Sequence, residues 1–130
     1  MNPNEASAGG SRGERSSQLK KGALELCVLA LLSLRDMYGY ELASTISRDI
    51  EISEGTIYPL LKRIRDDGLV TAYLKESQEG PPRKYYSITA SGLTNKRELE
   101  MEWHRFTEGM SRILMLRGPY GGQFTEGVNV

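Results

Sequence analysis

The run from Ser53 to Thr89 constrains the fold more than any other, because it reads as a short helix followed at once by a two-stranded basic ribbon. Ile57, Leu60, Leu61 and Ile64 fall at i, i+3, i+4 and i+7, which puts four aliphatic side chains on one helical face for a core. The opposite face carries Gly55, Pro59 and Lys62, flanked by Thr56, Tyr58 and Arg63. Small, aromatic, hydroxyl and cationic groups on an exposed helix face suit the reading of a DNA groove, although a solvated surface helix shows the same wheel. The ribbon favours the first reading, with Arg83 and Lys84 expected at its turn.

Around this run the patterning is dense. Leu19 to Leu34 predicts a first helix whose Leu24, Leu26, Cys27, Val28, Leu29, Ala30, Leu31 and Leu32 surround the axis, so it must be covered on every side. Part of that cover is expected from a second subunit, with Leu24 and Leu31 at the contact. Arg35 to Met37 reads as a link, and Tyr38 to Ser47 as a second helix with Leu42 and Ile46 facing the core. Ser53 is a plausible cap for the third helix, but Pro59 would then fall six residues in, where it deletes a backbone bond. The expected start is therefore nearer Gly55 or Thr56.

Gly68 should end that helix, and Leu69 to Lys75 and Lys84 to Ile88 read as paired strands joined by Glu79-Gly80-Pro81-Pro82. Thr89 can cap a last long helix running to about Leu116. On it Leu99, Trp103, Phe106, Met110 and Ile113 alternate steps of four and three, a heptad stripe with no partner left in its own domain. The expected architecture is mainly α with a small β-hairpin. It comprises a loose arm over residues 1–17, a winged helix-turn-helix over 18–89, a C-terminal dimerisation helix over 90–117 and a flexible tail over 118–130.

Four blocks, Tyr38-Gly39-Tyr40-Glu41-Leu42, Gly55-Thr56-Ile57-Tyr58-Pro59-Leu60-Leu61, Asp67-Gly68-Leu69-Val70 and Arg83-Lys84-Tyr85-Tyr86-Ser87-Ile88-Thr89, stand in an order that resembles the PadR family of bacterial winged-helix transcriptional regulators. The resemblance spans roughly Leu19 to Leu116. It implies a homodimeric repressor whose affinity for double-stranded DNA is relieved by a small molecule. One departure stands out: the family's wing commonly carries a basic residue just after the glycine, where Pro81 stands here. One cation fewer implies a shallower dependence of binding on salt.

The residues expected to meet DNA are Ser53, Thr56, Tyr58, Pro59, Lys62 and Arg63 on the third helix, with Arg83 and Lys84 on the wing. The dimer seam is expected at Leu24, Leu31, Leu99, Trp103, Phe106, Met110 and Ile113, which would set two reading helices about 34 Å apart on a palindromic operator. Trp103, the sole tryptophan, is a candidate contact for a flat aromatic or apolar effector as well as a packing anchor.

Charge offers the main counter-argument. Lys plus Arg and Asp plus Glu are each 17, so the net charge is zero and only local patches could attract phosphate. A winged helix that binds another protein, or a ligand carrier with weak DNA affinity, is the alternative reading. Catalysis has little to stand on: His104 is the only histidine, Cys27 the only cysteine, and Ser17 and Lys20 match a bare S-x-x-K without companions. Asp66-Asp67 has no histidine or cysteine near it in sequence to complete a metal set. No enzyme activity, cofactor or metal is expected. No stretch is apolar and long enough to export or anchor the chain, so a cytoplasmic protein without membrane contact is expected.

Overall fold

The computed structural model describes residues 12–120, so most of the expected arm and tail, residues 1–11 and 121–130, lies outside the described residues. The elements are α1 (Arg12–Leu32), β1 (Met37–Tyr38), α2 (Gly39–Ser47), α3 (Glu54–Asp66), β2 (Val70–Ser77), β3 (Gly80–Ile88) and α4 (Ala90–Leu114). They form two compact units, one ending at Lys96 and the other beginning at Arg97.

Helix α1 begins at Arg12 rather than Leu19, so residues 12–17 of the expected loose arm are helical. The expectation rested on the absence of apolar residues, but Arg12, Glu14 and Arg15 are good helix formers by intrinsic propensity. Further along, Leu24, Val28, Leu29 and Leu32 of α1 are buried, together with Leu42, Ala43 and Ile46 of α2 and Ile57, Leu61 and Ile64 of α3. Met37, Val70 and Tyr86 close this core from the sheet. Each large aliphatic side chain withdrawn from water contributes about 1.5–3 kcal/mol. Leu24 is 3% exposed and so belongs to the chain's own core, not to the surface seam where it was expected. Leu31 and Leu60 are half-buried at the edges of their helical faces.

Helix α3 starts at Glu54, directly after Ser53, and not at the later position that Pro59 suggested. The helix tolerates the proline because the carbonyl left without a donor is that of Gly55, in its first turn and exposed to water. Ser53 Oγ lies 2.8 Å from Thr56 Oγ1, and the Thr56 amide donates to the Ser53 carbonyl at 3.1 Å, so a tight turn opens the helix. At the other end Gly68 adopts φ 77°, the Gly68 amide donates to Arg65 O at 3.0 Å, and the Leu69 amide to Ile64 O at 2.9 Å. These paired bonds are a Schellman cap, which needs a residue able to enter the left-handed region.

The sheet has three strands, in the order β1-β3-β2, all antiparallel. Met37 pairs with Tyr86 and Tyr38 with Tyr85, so residues expected as linker and helix start form an edge strand. Ser77 pairs with Gly80, which closes the hairpin over Gln78 and Glu79 and places Pro81 and Pro82 inside β3. Arg83 and Lys84 therefore do not sit at the tip; they lie along the strand, opposite Lys75 and Leu74. The ladder is irregular between Lys75 and Ser77, beside the two prolines that have no amide to give it.

Thr89 joins the wing to α4. Its Oγ1 accepts the Gly92 amide at 3.0 Å, capping the helix, while its proton is shared between Gly68 O at 2.7 Å and Leu69 O at 3.0 Å. Gly92 has no room for a side chain, because a Cβ there would lie 2.1 Å from Leu69 O. Beyond Lys96 the helix keeps its apolar side chains in solvent: Trp103 is 40% exposed, Phe106 58%, Met110 41% and Ile113 66%, with Leu99 half-buried.

Candidate nucleic-acid interface

A groove of about 750 Å³ is lined by Tyr38, Gly39, Tyr40, Tyr58, Lys62, Arg65, Arg83, Lys84 and Tyr86. Three parts of the chain build it. The start of α2 supplies Gly39 and Tyr40, the exposed face of α3 supplies Tyr58, Lys62 and Arg65, and the sheet supplies the rest. Four cations and four tyrosines line it and no carboxylate does, so the groove is positive in a chain whose net charge is zero.

The i, i+4 spacing on α3 produces one qualification. Lys62 Nζ is 3.1 Å from Asp66 Oδ2, but both side chains are more than half exposed. Such a pair is worth little in water, and the lysine can exchange it for a phosphate at small cost. Burial raises the Tyr86 phenol above its ordinary value, with Arg65 pulling it down and Tyr58 pushing it up.

Alternation along the strands places Tyr38, Tyr85 and Tyr73 in one row across the sheet, on the face opposite Met37, Tyr86 and Ala72. Tyr38 and Tyr85 lie 5.3 Å apart between ring centroids, and Tyr85 and Tyr73 stack at 5.8 Å. Tyr73 Oη donates to Asp36 Oδ2 at 2.7 Å, which anchors the outer ring and raises its phenol. Two cations lie over this row: Lys75 Nζ is 5.2 Å from the Tyr85 centroid and Arg83 Cζ is 4.7 Å from the Tyr38 centroid. Stacking of this kind orders long cationic side chains that would otherwise sweep through solvent.

Of the residues expected to meet DNA, Tyr58, Lys62, Arg83 and Lys84 line the groove. Ser53, Thr56 and Pro59 are exposed at the start of the same helix. Arg63 turns away from them. Its Nη2 is 2.6 Å from Glu25 Oε1 on α1 and its Nη1 is 3.6 Å from Asp67 Oδ2, while Asn95 Nδ2 donates to the other Glu25 oxygen at 3.3 Å. Arg63 thus fastens α3 to α1. The groove arginine on this helix is Arg65, three residues beyond Lys62, and the helical spacing could have found it. Tyr38, Gly39, Tyr40 and Tyr86 were also missed, because they depend on the pairing of β1 with β3.

Three helices with a hairpin beside the third, and a cationic groove between them, define a winged helix-turn-helix protein. Residues 28–99 match the model of the "Transcriptional regulator PadR-like family", and the chain belongs to that family. It is similar to a PadR-like transcriptional regulator from Bacillus cereus, with 40% identity, 75% of this chain and 97% of that chain covered, and a TM-score of 0.68. A PadR family transcription regulator from Clostridium difficile shares 31% identity over 70% of this chain and 97% of its own, with a TM-score of 0.64. An uncharacterized protein of Lysinibacillus sphaericus is 33% identical over 96 residues, 71% of this chain and 88% of that protein. Membership in a family of regulators agrees with the expectation that the chain is not an enzyme. Among the described residues, no helix is long and apolar enough to cross a membrane.

Proposed function

We propose that the chain is a DNA-binding repressor that acts as a homodimer on a palindromic operator in the cytoplasm. The observation that carries DNA binding is the groove, where Lys62, Arg65, Arg83 and Lys84 converge on a lining that holds no carboxylate, Asp66 pairing with Lys62 from outside it. In this reading α3 enters the major groove, with Ser53, Thr56, Tyr58 and Pro59 at its leading end and Lys62 reaching a base edge or phosphate. Arg83 and Lys84 follow the backbone from the side of the strand rather than from the tip. The dimer reading is supported by the exposed stripe of Trp103, Phe106, Met110 and Ile113, a contiguous apolar surface of the kind that marks an association site. Leu31 and Leu99, both half-buried, flank that association in the proposal.

An aromatic or apolar effector that relieves repression is assigned to Trp103. The indole lies 6.0 Å from the Phe106 ring and tilted by 40° to it, which leaves aromatic faces for a flat ligand. A ligand there changes DNA affinity only by preferring one dimer geometry over another.

Binding to a random duplex at low salt, followed by selection from a randomised pool, tests the reading. Sequence-independent affinity at low salt and recovered sites with two symmetric halves about 34 Å apart are expected. No affinity for any duplex at low salt would overturn the function. Quenching of Trp103 fluorescence by a planar aromatic dye, with release of the duplex, tests the effector.

A further inference from the structure

Two side chains of the groove, Arg83 and Tyr58, are both held by consecutive residues that carry no charge. Arg83 lies with its guanidinium carbon 4.7 Å above the Tyr38 ring, and that ring is itself pinned by Tyr85 at 5.3 Å and by the Met37–Tyr86 and Tyr38–Tyr85 pairing. Next to it, Gly39 is buried and faces the Tyr58 ring so closely that a Cβ would lie 2.7 Å from Tyr58 Cε1. Gly39 is the first residue of α2 and has no positive φ, so its backbone does not require glycine. What requires glycine is the space that the Tyr58 ring occupies.

We propose that Tyr38 and Gly39 are positioning residues of the groove: Tyr38 holds the Arg83 guanidinium for a phosphate, and Gly39 gives Tyr58 its seat against α2. The proposal rests on the DNA-binding reading and deepens it. The two-residue strand β1 acquires a role beyond closing the sheet, since it carries one positioning residue and starts the helix that carries the other. An arginine ordered before contact loses less side-chain freedom on binding than one that is free, and this raises affinity without any added contact.

The test is a pair of double-mutant cycles read by duplex affinity and its salt dependence, with thermal unfolding measured for every variant. Tyr38→Leu should weaken binding about three- to fivefold, the scale of an exposed cation–ring contact. Tyr38→Phe, which keeps the ring, should bind like the wild type, and in an Arg83→Ala background Tyr38→Leu should change nothing. Gly39→Ala should fold as well as the wild type, because Tyr58 is 47% exposed and its ring can swing into water. Its affinity should fall about fivefold, and in a Tyr58→Ala background that loss should vanish. Losses that persist in the Arg83→Ala and Tyr58→Ala backgrounds would overturn the positioning roles. A DNA-independent arm separates the two readings: ring current should shift the Arg83 δ-proton resonance upfield in the wild type and in Tyr38→Phe, and not in Tyr38→Leu. The shift without any duplex binding would sink the DNA reading and leave the Tyr38 contact standing, whereas binding without the shift would sink the contact alone.

Discussion

Leu61 on α3 and Phe106 on α4 belong to equally clear apolar stripes, yet the first is fully buried and the second mostly exposed. Up to Lys96, three helices and a small sheet surround one another's aliphatic faces. From Arg97 onward the helix shows a face of tryptophan, phenylalanine, methionine and isoleucine to water. Periodicity reports that a face is apolar, not what covers it. The same signal describes a core in one unit and an exposed apolar face in the other.

The comparison can be broken in four places. Leu61→Ala should cost about 2–5 kcal/mol in chemical denaturation, since the side chain is fully buried; a loss below about 1 kcal/mol would mean that the core repacks and the contrast is weaker than drawn. Phe106→Asp should leave the folding of the first unit near wild type and raise the dimer dissociation constant roughly tenfold or more in sedimentation. A wild-type monomer at micromolar concentration would contradict the assignment of that face. Lys62→Ala combined with Arg83→Ala should weaken duplex binding roughly tenfold and flatten the logarithmic salt dependence by about 2, near 0.9 for each phosphate no longer neutralised. The smallest effect is expected for Arg63→Ala, about 0.5–1 kcal/mol of stability from a half-exposed ion pair, with duplex affinity and salt slope unchanged. A flattened slope there would return Arg63 to the interface.

What could be read in advance follows the range of the interactions. Ile57, Leu61 and Ile64 announce their burial within eight residues of chain, and Gly68 and Thr89 announce helix ends through the chemistry of single residues. Strand β1 could not be seen because two residues carry no period and its partners stand almost fifty positions away. The hairpin tip was misread for a different reason. Glycine and proline mark a turn in general, but here Ser77 and Gly80 close the loop first and the prolines fall where the ladder is already broken. Arg65 shares the face of Tyr58 and Lys62 by spacing alone, whereas the place of Arg63 depends on Glu25, which stands on another helix.

The Thr89 junction has a mechanical meaning. One hydroxyl clamps the carbonyls that terminate α3 and the amide that begins α4, and Gly92 presses its backbone into the same spot. The turn that follows α3 and the first turn of α4 thus share a single fixed point. A change at Thr89 or Gly92 therefore loosens two helix ends and the base of the wing in one stroke.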